Sequence, residues 1–308
     1  MRAIVQTSVG GPEVLTIADR PAPEPARGEV LVRVHAAGIN PVDTAVRSGA
    51  YPLLGEPPFT VGWDIAGVIE KLGPEASGFA VGDEVFGMPL FPREAGAYAE
   101  LVTAPANELV LKPTGIDHIH AGALPLAGLT AWQGLVGAAQ VRSGQRVLVQ
   151  AAAGGVGHLA VQIAKARGAY VVATTSSSKL DFVRGLGADE VVDYTTTRFS
   201  DVVSDIDIVL EPIGGENAEQ ALKVLKDGGT LVSLLGISDK AKAEARARGI
   251  RHEHISVVPD QAGLGELAKL IEAGKLSVHV SRIFPLEQAG EAHAFLATRP
   301  TGKIALEI

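Results

Sequence analysis

The chain has 308 residues, enough for roughly two domains, and its 46% hydrophobic against 20% charged content fills a large core and excludes disorder. A net charge of −8 disfavours non-specific binding to nucleic acid or anionic membrane. The absence of cysteine excludes disulfides, a thiolate nucleophile and any cysteine-held zinc or iron–sulfur cluster. The N-terminal residues lack the layout of a signal peptide and no run of 18 apolar residues occurs, so a soluble cytoplasmic protein with no membrane or nucleic-acid partner is expected.

The first third is strand-like and rich in turns. After the proline-rich stretch 21–25, strands are expected at 29–37, 63–72, 81–86 and 96–102, punctuated by Gly and Pro as in an antiparallel β-rich unit. From about residue 120 the pattern changes. An Ala- and Leu-rich stretch, 121–136, reads as a helix interrupted at Pro125. Short apolar strands at 145–151, 170–174, 190–194, 206–210 and 230–235 then alternate with helices at 157–167, 179–186 and 216–225. Such alternation, with apolar strands, implies a parallel sheet covered on both faces. The domains are expected at 1–122 and 123–275, with 276–308 returning to the first.

Ala152, Gly154 and Gly157 fill the slots of a G-x-G-x-x-G pattern, with Ala in the first. The pattern lies between a strand and a helix, the context in which it binds a dinucleotide pyrophosphate. Gly154, Gly155, Val156 and Gly157 are the expected backbone contacts. The next strand ends in Ser176, Ser177 and Lys179, with no carboxylate in the stretch to repel a 2′-phosphate. Two hydroxyls and an ammonium there favour NADPH over NADH. A solvated serine-rich turn with Lys179 facing water is the competing reading.

These motifs, with 38–43, 61–68, 81–87, 124–132 and 301–304, resemble the zinc-independent, zeta-crystallin-like quinone oxidoreductases of the medium-chain dehydrogenase/reductase superfamily. The resemblance runs the length of the chain. It implies an α/β fold made of a GroES-like β-rich catalytic domain and a Rossmann domain with a doubly wound parallel sheet. It implies NADPH-dependent reduction of quinones or α,β-unsaturated carbonyl compounds. It also implies a homodimer joined edge to edge through the last Rossmann strand, placed near 230–235.

The zinc-dependent branch has a His-Glu pair where this chain has Trp63-Asp64. The pairs His118/His120 and His252/His254 have ligand-like spacing but no third partner in sequence, so no metal is expected. Asn40 and Tyr51 are the expected substrate contacts, each bringing a donor for the oxygen on which charge develops. Asn40 also reads as a helix N-cap before Pro41, and Tyr51 equally as turn packing. Asp43 reads as a capping or loop-fixing residue. The resemblance extends the expected cofactor set to Asn40, Pro41, Thr130 and Tyr194. Gly214, Leu234 and Leu235 join it from strand carboxyl ends, and Gly302 and Lys303 from the return segment. A surface position for Lys303 is the alternative. Glu211 departs from the Asp-x-Val-Gly-Gly common in the family. An enoyl-thioester reductase, and a non-enzymatic NADPH-binding interaction protein, are the competing functions.

Overall fold

The computed structural model describes all 308 residues. They form two compact units: Met1–Leu129, Val258–Ala273 and Val278–Ile308, and Thr130–Val257 with Gly274–Ser277. No helix is long and apolar enough to cross a membrane.

The first unit is built on β1 (Arg2–Gln6), β2 (Leu15–Asp19), β3 (Glu29–Gly38), β4 (Asp64–Leu72), β5 (Glu84–Gly87), β6 (Leu101–Pro105) and β7 (Leu109–Leu111). Two helices, α1 (Pro41–Ser48) and α2 (His118–Ala123), accompany them, and α3 (Pro125–Trp132) begins in this unit and ends in the second. β1 and β2 form an antiparallel ribbon. β3 is the hub of the main sheet, pairing antiparallel with β4 and β6. Its alternating Val30, Val32, Val34 and Ala36 are fully buried, which is why so long a strand forms at the centre. Pro125 does not kink one helix. It opens α3 directly after α2, and a π-turn at Gln133–Ala138 follows.

The second unit alternates β8 (Arg146–Val149), α4 (Gly155–Ala166), β9 (Tyr170–Thr175), α5 (Leu180–Gly185), β10 (Glu190–Asp193), β11 (Ile206–Glu211), α6 (Glu216–Val224), β12 (Leu225–Ser233), α7 (Asp239–Ala247) and β13 (Arg251–His254). All six strands are parallel, in the order β10-β9-β8-β11-β12-β13. Leu148, Val172, Val209 and Leu231, one from each of four neighbouring strands, pack with Leu222, Ala241 and Ala245 in one core. Each such buried Val or Leu contributes ~1.5–3 kcal/mol relative to exposure. One expectation needs correction: 230–235 is not the last strand. β12 is flanked by β13, whose Arg-His-Glu-His sequence carries no apolar signal. A polar sequence is what an open sheet edge tolerates.

The chain then returns through α8 (Gln261–Glu272), β14 (Val280–Pro285), α9 (Ala289–Leu296) and β15 (Lys303–Glu307). β15 pairs antiparallel with β3 and parallel with β14. α8 belongs to the first unit rather than to a 123–275 stretch. Its Gln261 side chain donates to the carbonyl of Leu109 at 2.8 Å, and Leu264 and Leu267 are buried.

Candidate functional site

In the second unit the sheet order reverses between β8 and β11. Since all strands are parallel, the segments after β8, β9, β10, β11 and β12 emerge on one edge, at the switch point where doubly wound sheets take ligands. Those segments contain Gly154 to Gly157, Ser176 to Lys179, Tyr194, Gly214, and Leu234 with Leu235. The expected cofactor residues of this unit other than Thr130 are therefore gathered by topology. Thr130 is buried on α3.

The turn after β8 is built for close approach. Ala151 sits at φ 49°, the left-handed region, and the turn is tied to β9 by the Ala152 N–H donating to the Thr174 carbonyl at 2.9 Å. Gly154 is the extended N-cap of α4. A Cβ on Gly157 would lie 2.3 Å from the Ala151 oxygen and 2.7 Å from the Ala152 Cα, so only glycine lets α4 rest on the turn. The first N–H groups of α4, at Gly155, Val156 and Gly157, have no carbonyl one turn back to bond. They leave a donor cluster with the positive end of a 12-residue helix. This cradle fits a pyrophosphate. His158, unremarked in the sequence, fixes it from inside, its Nδ1 2.9 Å from the Gly154 carbonyl.

The neighbouring segments show what the sequence hid. Glu211 is fully buried and caps its own loop, accepting from the N–H groups of Ile213 and Gly214 at 2.7 Å each. Burial raises its pKa. The turn after β9 does have a carboxylate: Asp193, at the end of β10, accepts from the Ser177 hydroxyl. It also accepts from the Thr195 amide at 2.9 Å and hydroxyl at 2.6 Å, and these bonds hold its pKa low. The expectation of a turn without a carboxylate fails because strand register, Asp193 opposite Thr175, brings together residues 16 apart in sequence. Lys179 is half-buried there, its pKa lowered by burial. Tyr194 and Leu235 are exposed.

In the first unit, the Asn40 N–H donates to Asp43 at 2.8 Å, so Asp43 closes the start of α1 as a cap. The Asn40 amide is 1% exposed and does not stand free. Its Nδ2 donates to Asp64 Oδ2 at 2.8 Å and its Oδ1 accepts from Lys303. Lys303 is buried, not at the surface. Its ammonium donates to the Ile39 carbonyl at 2.9 Å and lies 3.7 Å from Asp64. Asp64 Oδ1 is satisfied by the Leu126 N–H at 2.7 Å. Burial pushes Lys303 down and Asp64 up, and each opposes the other's shift. Gly302, at φ 64°, turns the chain into β15 where a Cβ would meet the His279 carbonyl at 2.3 Å.

A second arm extends this network. Tyr98 donates to Asp43 Oδ2 at 2.8 Å and sits 3.0 Å from His293 Nε2, whose other nitrogen is 3.5 Å from Arg47. The Arg47 guanidinium offers only donors, so Nδ1 accepts and Nε2 carries the proton toward Tyr98. Burial raises Asp43 to about 7 and lowers His293 to about 3. Tyr98 and His293 gave no sequence signal beyond strand and helix propensity. Tyr51 is half-exposed, and Pro41 is exposed at the first turn of α1.

No three His, Asp or Glu side chains gather where they would hold a metal ion. His118 instead meets Glu84 at 3.0 Å and stacks near His35, His120 meets Asp117 at 2.6 Å, and His252 meets Ser233 at 2.8 Å.

The sequence model of the alcohol dehydrogenase GroES-like domain matches residues 26–114, and that of zinc-binding dehydrogenases matches 186–306. A mouse quinone oxidoreductase is 33% identical over 325 residues, covering 99% of this chain and 97% of the relative. The chain belongs to the quinone oxidoreductase family. It shares the medium-chain dehydrogenase/reductase architecture, a GroES-like unit with a Rossmann unit. A chloroplastic NADPH-dependent alkenal/one oxidoreductase of Arabidopsis thaliana, also similar to this family member, is 36% identical, covering 99% of this chain and 79% of the relative. A Coxiella burnetii quinone oxidoreductase structure matches with a TM-score of 0.94 at 34% identity, covering 100% of this chain and 99% of the other.

Proposed function

We propose that this chain is an NADPH-dependent oxidoreductase that reduces quinones or α,β-unsaturated carbonyl compounds without a metal ion. The observation that carries the reading is the glycine cradle at the switch point of a parallel sheet, in a chain that belongs to the quinone oxidoreductase family. Bound NADPH supplies a hydride. Gly154, Gly155, Val156 and Gly157 hold the pyrophosphate, Ser176, Ser177, Lys179 and Tyr194 the adenosine side, and Gly214, Leu234 and Leu235 the adjoining strand ends. Pro41, Thr130 and Gly302 complete the cofactor set.

Reduction places negative charge on the substrate oxygen, so the catalytic unit must offer donors held in place beforehand. Asn40 keeps one Nδ2 hydrogen beyond the one given to Asp64, and the pair Lys303–Asp64 fixes which way its amide faces. Tyr51 is the second donor. Metal independence is supported by the donor set. There is no cysteine, and Asp64 is already bonded to Asn40 and Leu126 with the Lys303 ammonium beside it. A homodimer in the cytoplasm completes the proposal.

The test is NADPH oxidation against a panel of 1,4-quinones and 2-alkenals, run after dialysis with a chelator. Turnover on at least one class, unaffected by chelation, is expected. Protein that is stabilised thermally by NADPH yet oxidises it with no acceptor would overturn the reductase reading.

A further inference from the structure

We propose that Asp193 sets the 2′-phosphate selectivity of the cofactor site, acting as a fixed negative charge on the serine turn after β9 so that the chain accepts NADH as well as NADPH. The proposal rests on reading the second unit as a dinucleotide site. It concerns the end of β9, which in doubly wound sheets faces the ribose of the adenosine.

Three observations carry it. First, β9 and β10 are adjacent and parallel, with Thr175 opposite Asp193, so the Asp193 carboxylate stands beside the serine turn. Second, the single hydroxyl proton of Ser177 is already donated to Asp193 Oδ2. To bind a phosphate oxygen, Ser177 must withdraw that proton from a carboxylate. A ribose 2′-hydroxyl makes no such demand, because it brings its own donor for the carboxylate to accept. Third, the Ser177 hydroxyl, with the Thr195 hydroxyl and amide, holds the Asp193 pKa low, and the Thr195 bonds fix the carboxylate in place.

Asp181 and Arg184 pair with each other at 2.8 Å. Asp193 therefore sets a negative charge at the turn where a dianionic 2′-phosphate would sit. The sequence stretch 173–179 taken alone promises a wholly attractive subsite. The folded turn also carries the Asp193 carboxylate, and its preference for the phosphorylated ribose is accordingly narrower.

The experiment is calorimetric titration with adenosine 2′,5′-bisphosphate and with 5′-AMP, which differ only in the 2′-phosphate. Wild type, Asp193→Asn and Thr195→Val are compared at low and high salt. Asp193→Asn is expected to tighten the bisphosphate roughly threefold to fivefold, an exposed-charge effect, and to leave 5′-AMP within about twofold. The gain should shrink at high salt. Thr195→Val, which keeps the charge, should leave the ratio of the two affinities unchanged.

An unchanged ratio in Asp193→Asn, or the same shift in Thr195→Val, overturns the proposal. The first denies the charge effect, and the second assigns it to loop position. If neither nucleotide nor NADPH binds wild type, the dinucleotide reading itself has failed. That outcome is distinct from binding with an unaltered ratio.

Discussion

Asp43 and His293 lie on either side of the Tyr98 hydroxyl, and their protonation is the reverse of that in an unfolded chain. At pH 5 an unfolded chain holds Asp ionised and His charged. Folded, Asp43 keeps its proton up to about pH 7 and His293 stays neutral down to about pH 3. Asp43 alone makes stability fall as pH rises from its unfolded value of 3.8 to about 7, because only the folded form holds the proton. His293 alone makes stability rise from about pH 3 to its unfolded 6.5, because only the unfolded form holds the proton. The proton count of the pair is the same in both states across the shared window, so the slopes cancel. Asp43→Asn removes one of them. Relative to wild type it should gain stability as pH rises from 4 to 6.5, by up to about 1.4 kcal/mol per unit. His293→Phe should lose over the same range. Urea melts at half-unit pH intervals read this directly, and parallel profiles for wild type and Asp43→Asn would refute the assignment.

At the scale of elements, the turn into α4 makes the sharpest prediction. Gly157→Ala places a methyl against backbone atoms that cannot rotate aside. Helix and turn must separate, at a cost of ~1–3 kcal/mol, and the N–H cradle is displaced with them. NADPH affinity, followed by its fluorescence on binding, should fall at least tenfold while circular dichroism remains native-like. Gly154→Ala, whose nearest neighbour is Ala151 O at 3.2 Å, should fall less. Retained affinity in Gly157→Ala would count against the cradle.

This turn was readable in sequence because its determinants are local: an apolar strand, small residues at fixed spacing, and a helix start. The buried strands β3, β4, β8, β9 and β11 were readable for the same reason. β13 was not, since an edge strand pairs on one side only and needs no apolar pattern. α8 has a helical pattern, but nothing local says which core it covers. The state of Lys303 was unreadable as well. Only the pairing of β15 with β3 brings it to Asn40 and Asp64. Asp193 lay in a predicted strand, yet its meeting with Ser177 is a fact of register.

At the scale of the molecule, the proposed homodimer is expected to form at the open edge of the six-stranded sheet. β13 pairs with β12 on one side, and the Ile255 N–H continues that ladder to the Ser233 carbonyl. Main-chain groups of a strand alternate sides, so Arg251 and Glu253 share the side of Ile255, while the N–H groups of His252 and His254 point outward. An outward row of this kind is satisfied by a second copy across a two-fold axis. His254→Pro removes an outward donor and no ladder bond, so the fold should survive while the homodimer dissociates. Sedimentation velocity should show a dimer for wild type and a monomer for His254→Pro at equal concentration. Each copy carries −8, so raising salt should strengthen the wild-type dimer by screening repulsion. A His254→Pro protein that remains dimeric would move the interface away from this edge, and a monomeric wild type would remove it altogether.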